Sequence, residues 1–186
     1  MIILASASPR RKELLSQICE FEVKVSYCDE NCDIKDPCQL VKELSLRKAR
    51  AISAGNDDTI IGADTVVTID GKILGKPHSE DEAKAMLKTL SGRTHSVFTG
   101  VTVIKGQKIC SFAEKTDVTF YDLDDMMIDS YVASGEPMDK AGSYGIQEKG
   151  CVLVKGICGD YFNVVGLPVA ALYRVLNEIG GLNADA

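Results

Sequence analysis

Ser6, Ser8, Arg10, Arg11 and Lys12 stand close together directly after a short apolar run, Ile2-Ile3-Leu4-Ala5. Small hydroxyls, cations and the free backbone N–H groups of a helix start are the groups that hold phosphate. Ser8 suits an N-cap and Pro9 the first helical position, so a helix is predicted to open here, with Leu14, Leu15 and Ile18 as its apolar face. The charges that follow do not serve the helix itself. A helix start carries partial positive charge and favours Asp or Glu, whereas this one receives three cations. Two readings stand: an anion cradle, or a surface patch of solvated cations.

Further along, chemistry-bearing residues recur at places where a core would not tolerate them. A helix from Asp36-Pro37 to about Ala54 carries the apolar stripe Leu40, Val41, Leu44, Ala51 and Ile52, and Lys48 falls in its middle. Such a lysine either snorkels past the core edge or reaches into a cleft. Asp64 interrupts the apolar strand Ile60-Ile61-Gly62-Ala63-Asp64-Thr65-Val66-Val67. A carboxylate there is costly unless paired or metal-bound, and Gly62 and Ala63 are read as leaving room for a ligand. Lys76 sits in the tight connection Gly75-Lys76-Pro77, and Lys140 lies beside Asp139 in a glycine-rich segment. Asp29 and Glu30 offer a second acidic position. Cations and carboxylates gathered at strand ends and glycine turns suit a polyphosphate with a divalent metal.

The elements that must position these residues alternate between strand and helix. Residues 21–25 read as a half-buried strand, and 59–69 as a strand joined to 72–74 through an Asp70-Gly71 hairpin. Ser79 to Glu82 is a capping box opening a helix that packs through Ala83, Met86, Leu87 and Leu90. Long strands follow near 94–104 and 108–120, then a short helix started by Asp122 and Asp125 that carries Met126, Met127 and Tyr131. Residues 135–147 are too irregular for a standard element and too apolar for a linker, a pattern typical of functional loops. Strand signals return at 152–157 and 161–165. A last helix starts at Pro168, packs Leu172, Val175, Leu176 and Ile179, and ends at Gly180-Gly181, with the last few residues expected to fray. No internal repeat and no linker is visible, so residues 1–186 read as a single domain.

Composition narrows the function classes. The chain has 186 residues, 45% hydrophobic and 26% charged, as a globular protein does. Its net charge of −6 argues against a nucleic-acid partner and leaves the basic cluster at 10–12 as a local exception. No apolar run is long enough to span a bilayer, and no signal peptide precedes the first strand, so no membrane partner and a cytoplasmic location are expected. Seven cysteines are expected as reduced thiols. Cys28, Cys32 and Cys38 fit no common zinc spacing, and no nucleophile-elbow motif is present.

The chain resembles the Maf-type nucleotide pyrophosphatases nearly end to end. The resemblance rests on the runs 5–11, 61–65, 75–77, 90–95, 135–147, 159–161 and 165–168. It implies an α/β fold with an elongated mixed β-sheet, flanking helices and two lobes around a central cleft. It also implies hydrolysis of a nucleoside triphosphate to the monophosphate and pyrophosphate, with a divalent metal, Mg²⁺ or Mn²⁺. Asp64 matches the family's catalytic aspartate, as proton acceptor or metal ligand, and Glu30 matches an acidic position that would hold the metal with it. Arg11, Lys48 and Lys76 would neutralise the triphosphate and the leaving pyrophosphate, and Ser8 would orient it. Lys140 either contacts phosphate or pairs with Asp139. Arg10, Thr65 and Gln147 match the branch that resembles dTTP/UTP pyrophosphatases. Another branch, with an aromatic residue, Gln and Glu at those positions, prefers a methylated guanine nucleotide. The chemistry agrees, since the Gln147 amide both donates and accepts, as the pyrimidine edge requires, while Arg10 only donates. The family also implies a homodimer and, as an alternative function, a nucleotide-binding regulator of septum formation and cell division.

Overall fold

The computed structural model describes residues 1–182. They divide into two compact units, one built from 1–64, 99–114 and the segment from Gly166 onward, the other from 65–98 and 115–165. Seven strands form a mixed sheet flanked by helices, in the order β2 (Glu22–Val23), β1 (Ile2–Leu4), β3 (Thr59–Ile69), β5 (Thr94–Lys105), β6 (Lys108–Phe120) and β7 (Val154–Cys158), with β4 (Lys72–Leu74) paired to β3. The long strands β3 (Thr59–Ile69), β5 (Thr94–Lys105) and β6 (Lys108–Phe120) contribute residues to both units. The frayed end expected for the last residues falls on 183–186, outside the described residues.

In the first unit, β1 (Ile2–Leu4) pairs in parallel with β3, placing Leu4 opposite Ile61, and with β2 (Glu22–Val23). The strand expected over 21–25 is only these two residues, both exposed, because they pair at the sheet's edge. Helix α1 (Pro9–Ser16) is capped by the Ser8 hydroxyl and buries Leu14 and Leu15; Ile18 lies beyond its end. Helix α2 (Pro37–Arg50) is capped by Asp36 and stops short of Ala54. Its buried face is Leu40, Val41, Leu44, Ser45 and Ala49, so Ala51 and Ile52 do not belong to it. Helix α6 (Val169–Glu178) buries Leu172 and Leu176 and gives way at Gly180, whose φ of 69° suits glycine.

Two glycines bring α2 onto the sheet. A Cβ on Gly62 would lie 2.2 Å from the Ser45 carbonyl oxygen and 2.8 Å from the Ala49 nitrogen; one on Gly100 would lie 2.2 Å from the Val41 carbonyl oxygen. The space at Gly62 is therefore filled by helix backbone and is not ligand room. The approach is fixed further by Ser45 and Thr102, whose hydroxyls hydrogen-bond at 2.8 Å in the buried interface.

The second unit has its own core, from Val67, Ile69, Leu87, Leu90, Val118, Phe120, Ile128, Val132 and Leu153 among others. Helices α3 (Glu80–Leu90) and α4 (Asp125–Ala133) cover it, and β4 (Lys72–Leu74) closes the hairpin with Val67 opposite Leu74. Asp70 and Gly71 both take positive φ, 51° and 72°, the signature of the tight turn their sequence predicts. At the start of α3 the Ser79 hydroxyl accepts from the Glu82 N–H, while Glu82 reaches back one residue beyond the cap, to the His78 N–H at 2.7 Å. Residues 136–153 run through three short 3₁₀ turns into β7 (Val154–Cys158), which pairs antiparallel with β6.

The strand expected over 161–165 is a helix, α5 (Tyr161–Val165). Its aromatic and β-branched residues favour strand, but local hydrogen bonds decide otherwise. Asp160 accepts from the Phe162 N–H at 2.8 Å, and Thr116 both accepts from the Asp160 N–H and donates to its carbonyl. Asn163, fully buried, then donates to Val97 O and Thr116 Oγ1. A strand would turn alternate residues outward and lose that buried amide its partners.

Candidate active site

Asp64 points from the same face of β3 as Gly62, two residues before it. Because α2 touches the sheet at Gly62 through Ser45 and Ala49, the next side chain along its inner face, Lys48, meets Asp64. Lys48 Nζ lies 2.5 Å from Asp64 Oδ1 and 3.3 Å from Glu30 Oε1. The Lys48 and Asp64 side chains are 13% and 11% exposed, whereas Glu30 is 59% exposed on the segment between β2 and α2. Lys48 therefore reaches between two carboxylates; it does not snorkel into solvent. A half-buried charge pair of this kind is held strongly only while each partner stays in place.

The cradle at α1 belongs to the same unit. Ser6 Oγ accepts from the Ser8 N–H at 3.2 Å and from Arg11 Nη1 at 3.4 Å, and Ser8 Oγ accepts from the Arg11 N–H at 3.4 Å. Arg11 Nε donates to the Gly166 carbonyl at 2.9 Å, which holds the guanidinium from its far side. Burial lowers the Arg11 pKa, the Asp64 and Glu30 carboxylates push it back up, and Arg10 lowers it again. An arginine keeps its charge through such shifts, so the cradle presents a fixed cation beside Asp64. Arg10 is half-buried on the same turn. Burial, rather than the nearby Lys48, dominates at Cys28 and raises its thiol pKa.

The remaining sequence-predicted residues lie in the second unit. Thr65 follows Asp64 on β3 and is half-buried. Lys76 is exposed in the connection after β4, and the Gly75 carbonyl accepts from the Gly142 N–H at 3.0 Å, tying that connection to the glycine-rich segment. Gly142 packs on β3, where a Cβ would come 2.9 Å from the Val67 side chain. Lys140 Nζ donates to Asp139 Oδ1 at 2.8 Å and to the Glu136 carbonyl at 2.7 Å, with its alkyl chain over Gly145. Gln147 is half-buried on the strap that Glu136 fastens. The Glu136 carboxylate accepts from Tyr131 OH (2.9 Å), Gly150 N (3.2 Å) and Lys149 N (3.1 Å), and Tyr131 OH accepts from Gly145 N (3.1 Å).

The structure thus brings together Ser8, Arg11, Lys48, Asp64 and Glu30 with Arg10 beside them in one unit, and sets Thr65, Lys76, Lys140 and Gln147 in the other. Sequence reasoning missed three contributors. The Gly166 carbonyl meets Arg11 across 155 residues, the Glu136 carboxylate gathers partners from an irregular segment that gives no periodic signal, and Arg47 reads locally as a solvated helix face.

A family model described as Maf-like protein matches residues 1–179. The chain belongs to the Maf family. A Bacillus cereus protein named dTTP/UTP pyrophosphatase is 54% identical over 180 residues, which cover 95% of this Maf chain and 94% of that protein. A protein of the same name from Bacillus thuringiensis subsp. konkukian is 53% identical over the same shares of the two chains. The mixed seven-stranded sheet with flanking helices is the fold that the Maf resemblance implies. Among the described residues no helix is long and apolar enough to cross a membrane.

Proposed function

We infer that this Maf-family chain is a nucleoside triphosphate pyrophosphatase acting on dTTP and UTP. Two kinds of support carry the reading: relatives of that name spanning nearly the whole chain, and the geometry of Lys48. Its ammonium lies between the Asp64 and Glu30 carboxylates, beside the arginine cradle at the start of α1. Cations at a helix start hold a polyphosphate, and a buried carboxylate next to them accepts the proton of an attacking water. In the hydrolysis, water oxygen forms a bond to the α-phosphorus, the bond from that phosphorus to the bridging oxygen breaks, and pyrophosphate leaves. Asp64 takes the water's proton. Arg11 and Lys48 meet the charge that gathers on the departing phosphates, where fixed cations are worth more than in water.

A divalent cation fits the donor set. Asp64 and Glu30 each give one carboxylate oxygen to Lys48 and would offer the other, a hard donor, to the ion. Among the described residues no group of three or more His, Cys, Asp or Glu could hold a metal. A pair of carboxylates without an all-protein cage suits Mg²⁺, which takes one or two carboxylates and fills its shell from phosphate and water. When bound, the ion would neutralise phosphate charge. Mn²⁺ meets the same oxygen set. Thr65 and Gln147, with Arg10, are assigned to the pyrimidine edge, and Lys76 and Lys140 to the outer phosphates. A single catalytic domain, a cytoplasmic location and a homodimer, to be checked by light scattering, go with the reading.

The test is pyrophosphate release from a panel of nucleoside triphosphates with Mg²⁺, for wild type and Asp64→Asn. Turnover of dTTP and UTP ahead of purine triphosphates is expected, with kcat falling about a thousandfold in the variant. Tight nucleotide binding with no turnover of any triphosphate would overturn the reading.

A further inference from the structure

Residues 24–36, between β2 and α2, form no regular element, yet they carry Glu30 to Lys48. Glu30 does not hold that place by itself: its side chain is 59% exposed, and an exposed ion pair at 3.3 Å contributes little. The neighbouring helix residue supplies what the pair lacks. Arg47 Nη1 donates to the carbonyls of Asp29 at 3.2 Å and Asn31 at 2.9 Å, the residues on either side of Glu30. Its Nη2 reaches Cys32 Sγ at 3.9 Å. One turn earlier on α2, Glu43 Oε1 accepts from Arg47 Nε at 2.7 Å and aims the guanidinium. We propose that Arg47 is a positioning residue for the hydrolysis: its guanidinium grips the backbone on both sides of Glu30 and delivers that carboxylate to Lys48.

The choice of side chain follows from the geometry. A planar fork with five donors can hold Glu43 and the two carbonyls together, whereas a lysine ammonium on a flexible stem holds its partners without that fixed spacing. Arg47 and Lys48 are consecutive, so one helical turn fixes both the clamp and the ammonium it serves. The consequence is specific. Loss of Arg47 leaves in place the bonds that shape the cradle from Ser6, Ser8, Arg11 and Gly166, none of which is made by that residue. Nucleotide affinity therefore stays, while the step that needs Glu30 in place suffers.

This assignment rests on the pyrophosphatase reading, and its test separates the two. Wild type, Arg47→Met, Arg47→Lys, Glu30→Gln and the Glu30→Gln/Arg47→Met double variant are compared for dTTP kinetics with Mg²⁺. Hydrogen exchange is followed in peptides covering 24–36 in the same proteins. Arg47→Met is expected to lower kcat about ten- to hundredfold with KM within about twofold, and to speed exchange in 24–36. Arg47→Lys recovers part of the rate, and the double variant is no slower than Glu30→Gln alone, since both changes remove one function. Losses that multiply in the double variant, a change confined to KM, or unchanged exchange would each overturn the assignment. If Arg47→Met does not fold, Glu43→Gln loosens the same guanidinium and carries the comparison. A wild type that hydrolyses no triphosphate overturns the pyrophosphatase reading; the exchange measurement needs no substrate and then decides the role of Arg47.

Discussion

Gly62→Ala places one methyl group where the fold has none to spare. Its Cβ would sit 2.2 Å from the Ser45 carbonyl oxygen and 2.8 Å from the Ala49 nitrogen, both backbone atoms of α2. A carbon approaches a carbonyl oxygen to about 3.3 Å, so the helix must retreat by about 1 Å. The Ser45–Thr102 bond at 2.8 Å and the Gly100 contact with Val41 oppose that retreat. Overpacking of this kind destabilises by about 1–3 kcal/mol, and in a chain of this length each kcal/mol lowers Tm by about 2–4 °C. The larger effect is on chemistry. Lys48 rides on the displaced turn, and its 2.5 Å contact with Asp64 opens by a similar distance. A misplacement of about 1 Å at a reacting centre costs on the order of a hundredfold in rate. Thermal melts and dTTP kinetics on the purified variant read the two effects separately. A Gly62→Ala protein that keeps wild-type kcat while melting several degrees lower would refute the link between this packing contact and the placement of Lys48.

Acid sensitivity should come from His95, which is 2% exposed among Phe120 and Tyr144, with Nε2 2.8 Å from Tyr144 OH. Burial lowers its pKa to about 4, so the unfolded chain, titrating near 6.5, binds the proton first. Stability is then fully present above about pH 6.5 and falls through pH 4 by about 3 kcal/mol. Urea midpoints should drop over that window in wild type and drop less in His95→Gln; parallel profiles would exclude the histidine. Glu136→Ala strands the buried Tyr131 OH and Gly150 N–H, while the exposed Lys149 N–H turns to water, and should cost about 1–3 kcal/mol in urea unfolding. The same variant, by loosening the strap that carries Gln147, should narrow the preference for dTTP and UTP over purine triphosphates, read as a ratio of kcat/KM values.

The long strands were legible because their signals are local and redundant. Residues 59–69 are nearly all apolar or small apart from Asp64, end at Asp70-Gly71 and form β3 with the same bounds. The N-caps at Ser8, Asp36 and Ser79 were equally readable, since a cap is written within four residues. Strand β2 and helix α5 were not. The first is shortened by its edge position, and the second is decided by Thr116 and Val97, more than forty residues away. The inward lysine was visible as a break in an apolar stripe, but its partners were not, because a stripe gives a direction and no distance.

Gly62 illustrates how a correct residue can carry an incorrect reason. Its smallness beside Asp64 suggests space for a ligand, and a glycine in a strand does mark a close approach. What approaches is the backbone of α2, and the space is spent on bringing Lys48 to the carboxylate. The same logic extends to Arg47. In sequence it is one cation in a row of them, Arg47-Lys48-Ala49-Arg50, at the end of a helix where cations suit the dipole. Once α2 is pressed onto β3, the helix faces are no longer equivalent. Lys48 turns to Asp64 and Arg47 turns to the segment that carries Glu30. One glycine on the sheet thereby sorts two adjacent cations into different tasks, and substitutions at Gly62 and Arg47, which only position the reacting groups, should converge on one kinetic phenotype, a fall in kcat with nucleotide KM held.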